Sequence, residues 1–188
     1  MREIDMLPVI ETKRLFLREI TNDDLQELYS LYSHADVAKG MGINPLADIR
    51  SAQDLLDYFK QSFIKKTMIR FALALKDEKK LIGTIGLQDI KWEYYLSEIG
   101  FDLNPEYHNK GYMSEALQSV IDYGFTRLRL QKLFALSYVE NVVAHSVLER
   151  CGFMKEGRLL QHNYNWGTKE FADMYAYGLI NNEWCKND

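Results

Sequence analysis

The chain has 188 residues, of which 47% are hydrophobic and 27% charged, and its formal net charge at pH 7 is −4. This composition is typical of one folded globular domain and argues against a disordered chain. It also argues against nucleic acid as a main ligand, which would require clustered basic residues. The sequence contains no run of about 18 apolar residues, so no membrane-spanning helix is predicted.

Cysteine usage and the amino terminus bear on the compartment. The two cysteines, Cys151 and Cys185, form no disulfide framework and no Cys-x-x-Cys motif. The first residues include Arg2, Glu3 and Asp5, so the apolar core of a secretory signal is missing. We therefore expect a protein of the reducing cytoplasm.

In chain order, alternating apolar residues predict a first strand at 14–18, and the polar cluster at 21–24 predicts the start of a helix. A second helix is predicted at about 51–64, because apolar residues recur there at helical spacing. Three apolar strands are predicted next, at 69–75, 81–87 and 96–103, with a charged hairpin turn at 76–80.

The second half alternates strands and helices. A helix of about four turns should follow Gly111. After it we predict a strand at 133–139, a helix that buries Val143, Val147 and Cys151, and strands at 153–159 and 171–179. The order β-α-α-β-β-β-α-β-α-β-β predicts a single α+β domain spanning 1–188, with about seven strands in a mixed sheet and helices on both faces. The strand–helix–strand crossover should be right-handed, with its two strands parallel.

The most informative segment is the loop at 108–116, between a strand end and a helix. A helix start presents unpaired N–H groups and partial positive charge, so it favours anions. Gly111 permits close approach of a phosphate, and Asn109 tolerates left-handed backbone. A glycine in this place more often only makes a turn. The glycine motifs of Rossmann and P-loop domains are missing, which disfavours those folds.

Four segments in order carry a resemblance to a known family. They are residues 11–18, 97–107, 108–116, and Glu140-Asn141 followed by 147–153. Together they resemble the GNAT acetyltransferase superfamily, and more narrowly the ribosomal-protein N-terminal acetyltransferases of the RimJ/RimL type. The resemblance covers roughly residues 10–180.

The resemblance implies acetyl-coenzyme A as cosubstrate and no metal. Backbone N–H groups of 109–114 would hold the pyrophosphate, and the strand end at 101–103 would pair with the pantetheine arm. The implied cofactor-binding residues are Phe101, Asp102, Leu103, His108, Asn109, Lys110, Gly111, Tyr112, Met113, Ser114 and Asn141. His108, Asn109 and Met113 depart from the family pattern, but backbone binding survives side-chain replacement.

Glu98 is the candidate catalytic base. By strand parity it shares a face with Gly100, whose small size leaves room for a ligand. The matching position carries a catalytic glutamate in some superfamily members, whereas the alternative is an exposed glutamate paired with a neighbour. The proton donor is not assigned, because the family positions for it hold Ala144 and Leu148.

Other polar and aromatic residues give weaker signals. Three aromatic residues could line a groove for the acceptor or could equally pack in the core or at the surface: Trp92, Tyr94 and Tyr95. Asp173, in the last predicted strand, is a weaker candidate for orienting the acceptor amine. The four histidines show no metal-ligand spacing, so we expect no metal site.

Three functions are compatible with these patterns. The first is acetyl transfer to a protein N-terminal α-amine, the second is transfer to a small amine such as a polyamine or antibiotic, and the third is non-catalytic binding of acyl-coenzyme A. The expected partners are acetyl-coenzyme A and the amine, with no nucleic acid and no membrane. The oligomeric state is open, a homodimer included.

Overall fold

A mixed sheet of eight strands forms the centre of the structure, a computed structural model that describes residues 6–182. The strand order is β1-β2-β3-β4-β5-β6-β8-β7, and β5 and β6 are parallel neighbours. The strands are β1 (Ile10–Glu11), β2 (Leu15–Arg18), β3 (Ile69–Leu75), β4 (Leu81–Lys91), β5 (Leu96–Leu103), β6 (Lys132–Tyr138), β7 (Met154–Asn165) and β8 (Glu170–Ile180).

Within the described residues, five α-helices cover the two faces of this sheet. They are α1 (Leu25–Ser33), α2 (Ala35–Met41), α3 (Ile49–Ile64), α4 (Tyr112–Asp122) and α5 (Val142–Arg150). Leu28 of α1 and Leu56 of α3 belong to one buried apolar cluster, and Leu117 of α4 and Leu148 of α5 belong to the other. The predicted α+β fold, with a mixed sheet and helices on both faces, is confirmed.

Some predicted details are wrong. The short strand β1 and the seven-residue helix α2 were not predicted. Helix α3 begins two residues early because the Asp48 side chain caps it by accepting from the Ser51 N–H, at 2.8 Å. Val143 is 51% exposed, whereas Val147 and Cys151 are partly buried against the core as predicted, and the fully buried residues of α5 are His145 and Leu148.

The parallel pair at the centre of the sheet separates after a short stretch. Strands β5 and β6 are in register only between Leu96–Glu98 and Lys132–Phe134, although β5 continues to Leu103. Beyond Glu98 each strand therefore presents backbone groups that the other does not pair. This separation is the feature on which the site is built.

Within residues 6–182, no helix combines the length and the hydropathy needed to cross a bilayer. The sequence arguments about Arg2, Glu3, Asp5 and Cys185 concern positions outside the described residues.

Candidate functional site

The loop before α4 presents a row of free backbone donors. Asn109 and Gly111 both have left-handed backbone, with φ of 59° and 78°. The first backbone bond of the helix runs from the Glu115 N–H to the Gly111 carbonyl, at 3.1 Å. In the described part of the chain, the N–H groups of 109–114 have no protein acceptor. The local geometry is therefore that of an anion-binding helix start.

A carboxylate inside α4 fixes this loop to the first strands. Glu115 accepts hydrogen bonds from the Thr12 hydroxyl at 2.6 Å and from the Arg14 backbone N–H at 2.7 Å. The Arg14 guanidinium bonds Glu115 and the Lys110 carbonyl, each at 2.7 Å. Burial raises the pKa of Glu115, but the hydrogen bonds from Thr12 and Arg14 outweigh it and lower the pKa below its usual range. Sequence reasoning missed this anchor, although the segment at 11–18 belongs to the resemblance.

A groove of about 580 Å³ runs from this loop past the end of β5 to the start of α5, and we call it the cofactor groove after the residues predicted to bind the cofactor. Ten of the eleven residues predicted to bind the cofactor line it: Phe101, Asp102, Leu103, His108, Asn109, Gly111, Tyr112, Met113, Ser114 and Asn141. The exception is Lys110, whose ammonium lies 5.2 Å from the centre of the Tyr107 ring.

Two of these residues also make bonds within the protein. The Asn141 Oδ1 accepts from the Ala144 N–H at 3.1 Å, so its side chain caps α5 at the mouth of the groove. The His108 Nε2 lies 3.0 Å from the Leu103 carbonyl oxygen, which ties the loop to the end of β5.

A second cavity, of about 420 Å³, lies where β5 and β6 separate, and we call it the reacting cavity. Its lining comes from both faces of the sheet. Ile99, Phe101, Ala135, Ser137, Ala144 and Leu148 line it on the α4–α5 side, and Arg70, Gln88, Glu98, Gly100, Tyr138 and His162 line it on the opposite side. The gap in the parallel pair thus opens to both faces of the sheet.

Glu98 lies at the centre of this arrangement. It is half-buried, it is opposite Gln88 on β4, and it is the last β5 residue paired with β6. Burial raises the pKa of Glu98, while the hydrogen bond with the Gln88 side chain partly opposes that rise. A carboxylate with a raised pKa is a better proton acceptor than an ordinary one when it is ionised.

A buried ion pair lies beneath Glu98 on the same face. Arg70 binds the Asp102 carboxylate, the Thr84 hydroxyl at 2.9 Å and the Gly100 carbonyl at 3.1 Å. Tyr32 of α1 donates to Asp102 at 3.0 Å and completes the network. The Asp102 side chain is therefore directed away from the cofactor groove, and any contact of this residue with the cofactor would come from its backbone.

Several polar and aromatic residues considered in the sequence analysis make contacts outside the reacting cavity. Trp92 donates to the Lys66 carbonyl at 2.8 Å, and Tyr94 is 67% exposed; neither lines the reacting cavity. Asp173 is bound by Arg158 at 2.6 Å. The Cys151 thiol is half-buried directly after α5, 3.7 Å from the Ser114 carbonyl. No group of three His, Cys, Asp or Glu side chains that could hold a metal occurs among the described residues.

Sequence reasoning missed three residues of the reacting cavity. Arg70 pairs with a residue 32 positions away, which no local pattern shows. Tyr138 and Ser137 end β6, where the pattern Leu133, Ala135, Ser137 puts a polar side chain on an otherwise apolar face. That break in alternation was the available signal for Ser137.

Comparisons with known proteins show the family. A family model described as an acetyltransferase (GNAT) domain matches residues 14–154. The uncharacterized N-acetyltransferase YoaA of Bacillus subtilis is 33% identical over 171 residues, which cover 91% of this chain and 97% of the relative. The spermidine N(1)-acetyltransferase of Vibrio cholerae is 27% identical over 163 residues, with coverage of 86% and 92%.

Solved structures show the same fold. An acetyltransferase of the GNAT family from Bacillus anthracis has a TM-score of 0.81 at 26% identity, covering 92% of this chain and 98% of that one. The ribosomal-protein-S5-alanine acetyltransferase from Vibrio fischeri has a TM-score of 0.80 at 22% identity, with coverage of 94% and 98%.

Proposed function

This chain belongs to the acetyltransferase (GNAT) family and is an acetyl-coenzyme A-dependent N-acetyltransferase, and we propose that its acceptor is the N-terminal α-amine of a protein. The observation that carries the proposal is the charge of the reacting cavity. Among the described residues that line it, the acids are Glu98 and Asp102, and Arg70 neutralises Asp102. One half-buried carboxylate is left to act as the base.

A single carboxylate suits an α-amine better than a more basic amine. An α-amino group with a pKa of about 7.8 is roughly 14% neutral at pH 7, whereas a lysine amine with a pKa of about 10.4 is roughly 0.04% neutral. The difference corresponds to about 3.5 kcal/mol. Glu98 needs to supply little of that free energy if the acceptor is an α-amine.

The proposed binding mode follows the two cavities. The free N–H groups of 109–114 would hold the pyrophosphate, and the unpaired edge of β5 beyond Glu98 would bond the pantetheine amides as an added strand. The thioester would then reach the gap between β5 and β6. The acceptor amine would approach from the α1–α3 side, where Glu98 takes its proton directly or through one water molecule.

A second candidate acceptor is a small polycation. A neighbouring cavity of about 520 Å³ shares Tyr138 and Asn141 with the reacting cavity. Its acids are Asp36, Glu140, Glu170 and Asp173, against the bases Lys39 and Arg158. That excess of acids favours a second ammonium group, as in the polyamine acceptor named for the Vibrio cholerae relative.

A panel of amines with a thiol-release readout separates these functions. We expect turnover with peptides that begin with Ala or Ser and none with the same peptides after N-terminal acetylation, which serve as the matched control. Turnover confined to spermidine and spermine would contradict the N-terminal α-amine as acceptor and support a small polycation. Tight binding of coenzyme A with no turnover on any amine would indicate a non-catalytic module.

A further inference from the structure

A buried hydroxyl at the end of β6 has no partner. Ser137 is 6% exposed, and its Oγ is the single buried side-chain oxygen or nitrogen in the described part of the chain without a hydrogen bond. An unpaired buried hydroxyl costs folding free energy, so such a group calls for an explanation. A ligand that accepts the hydrogen bond would provide one.

The place of this hydroxyl identifies the ligand atom. Ser137 has the parity of Leu133 and Ala135, whose side chains belong to the apolar core under α4 and α5. It therefore lines the reacting cavity from the cofactor side, where its α5 neighbours Ala144 and Leu148 offer no donor. In the binding mode proposed above, the acetyl donor would enter the gap on this side with its thioester foremost.

The other proton carriers in the cavity face the opposite side. Tyr138 has the parity of Phe134 and Leu136, and its hydroxyl accepts from the Asn163 amide at 3.3 Å. Gly42 packs so closely against that hydroxyl that a Cβ at this position would lie 2.0 Å from it. His162 lines the cavity from β7. These groups are placed toward the acceptor and not toward the sulfur.

We propose that the Ser137 hydroxyl donates a hydrogen bond to the thioester sulfur and stabilises the thiolate as it leaves. The C–N bond forms, the C–S bond breaks, and the electron pair of that bond goes to the sulfur that Ser137 holds. Glu98 receives the amine proton on the other face of the sheet, so the products are the amide, the thiolate and a protonated Glu98. The inference rests on the proposed binding mode of acetyl-coenzyme A for the position of the sulfur, and on the proposed role of Glu98 for the fate of that proton.

Binding of coenzyme A and of desulfo-coenzyme A, which has no sulfur, tests the contact without any acceptor. Ser137→Ala should weaken binding of coenzyme A several-fold while changing binding of desulfo-coenzyme A by less than twofold, as measured by calorimetry. Equal weakening of both ligands, or weakening of neither, would overturn the proposal. Because no amine is needed, this result is independent of whether the proposed acceptor is right.

Turnover gives the second readout. With any amine that the wild-type protein acetylates, Ser137→Ala should lower kcat about 10²-fold, the lower end of the range for one lost donor to a developing charge. The unfolding midpoint should be unchanged or raised, because the unpaired hydroxyl is removed. Ser62→Ala, at an equally buried serine on α3, is the matched control and should keep kcat. Wild-type kcat in Ser137→Ala would contradict the role.

Discussion

The two ends of the site are built differently. At the cofactor end, the donors are main-chain N–H groups of 109–114, and their direction depends on the left-handed Asn109 and Gly111. At the reacting end, the proposed chemistry depends on side chains from three strands, β3, β5 and β6, with Glu98 above the Arg70–Asp102 pair and Ser137 across the gap. The first end should tolerate side-chain replacement, and the second should not.

The largest effect is expected at the buried ion pair. Arg70→Met would leave the Asp102 carboxylate buried without its partner, so the free energy of unfolding should fall by about 3–5 kcal/mol. Chemical denaturation measures this loss. Its control is Arg70→Met with Asp102→Leu, which removes both charges and should recover most of the stability. A single variant as stable as the wild type would show that the pair does not support the reacting end.

The next effect is on turnover. Glu98→Gln removes the proposed base and should lower kcat at least about tenfold, and up to the 10²–10⁴-fold typical of a lost base, while leaving the Kd of coenzyme A within about twofold. Steady-state kinetics and calorimetry measure the two quantities. Unchanged turnover would remove Glu98 from the role.

The same residue gives a prediction of pH dependence. Because burial raises the pKa of Glu98, the wild-type rate should fall as pH drops through a value above the usual glutamate range. A carboxylate whose pKa is raised by folding destabilises the folded protein once it is ionised. Glu98→Gln should therefore be more stable than the wild type at pH 7, and this advantage should vanish in acid, below the usual glutamate pKa.

A smaller effect is expected at the cofactor end. Gly111→Ala introduces a side chain at φ 78°, which costs about 1–2 kcal/mol, although the nearest atom to the added Cβ, on Arg14, is at an ordinary 3.4 Å. We expect the Kd of coenzyme A to rise about fivefold to tenfold, because the donors lose their direction. Calorimetry that finds an unchanged Kd would show that the backbone of this loop does not bind the cofactor.

The smallest effect is expected for a side chain in the same loop. Asn109→Gly keeps access to the left-handed conformation, so the Kd of coenzyme A should change by less than about twofold. Paired with Gly111→Ala, it separates backbone from side-chain binding. A large loss in Asn109→Gly would mean that the amide side chain contacts the cofactor and that the two ends are less different than proposed.

The parts of the fold predicted from sequence have local causes. The bounds of β3 and β5 were predicted correctly, because a charged turn and the Asn104-Pro105 pair mark their ends. Helix α2 was missed because it has seven residues and a glycine, Gly40, near its end. Edge strand β7 runs six residues past its predicted end, since most of its side chains are exposed and show no apolar alternation.

The site divides in the same way. The free donors of the loop at 108–116 could be predicted because they depend on a glycine and a helix start, which are features of contiguous sequence. The Arg70–Asp102 pair and the placement of Ser137 against the gap depend on which strands become neighbours. Only the fold supplies that information, although a polar residue, Ser137, in the otherwise apolar series of β6 could have indicated an unusual position.

A crystal structure of this protein with coenzyme A bound tests the central claim most directly. The account predicts pyrophosphate oxygens within hydrogen-bonding distance of the N–H groups of 109–114, and a sulfur between β5 and β6 with Ser137 on one side and Glu98 on the other. A pyrophosphate held elsewhere, with those N–H groups unused, or a sulfur outside the gap would contradict it.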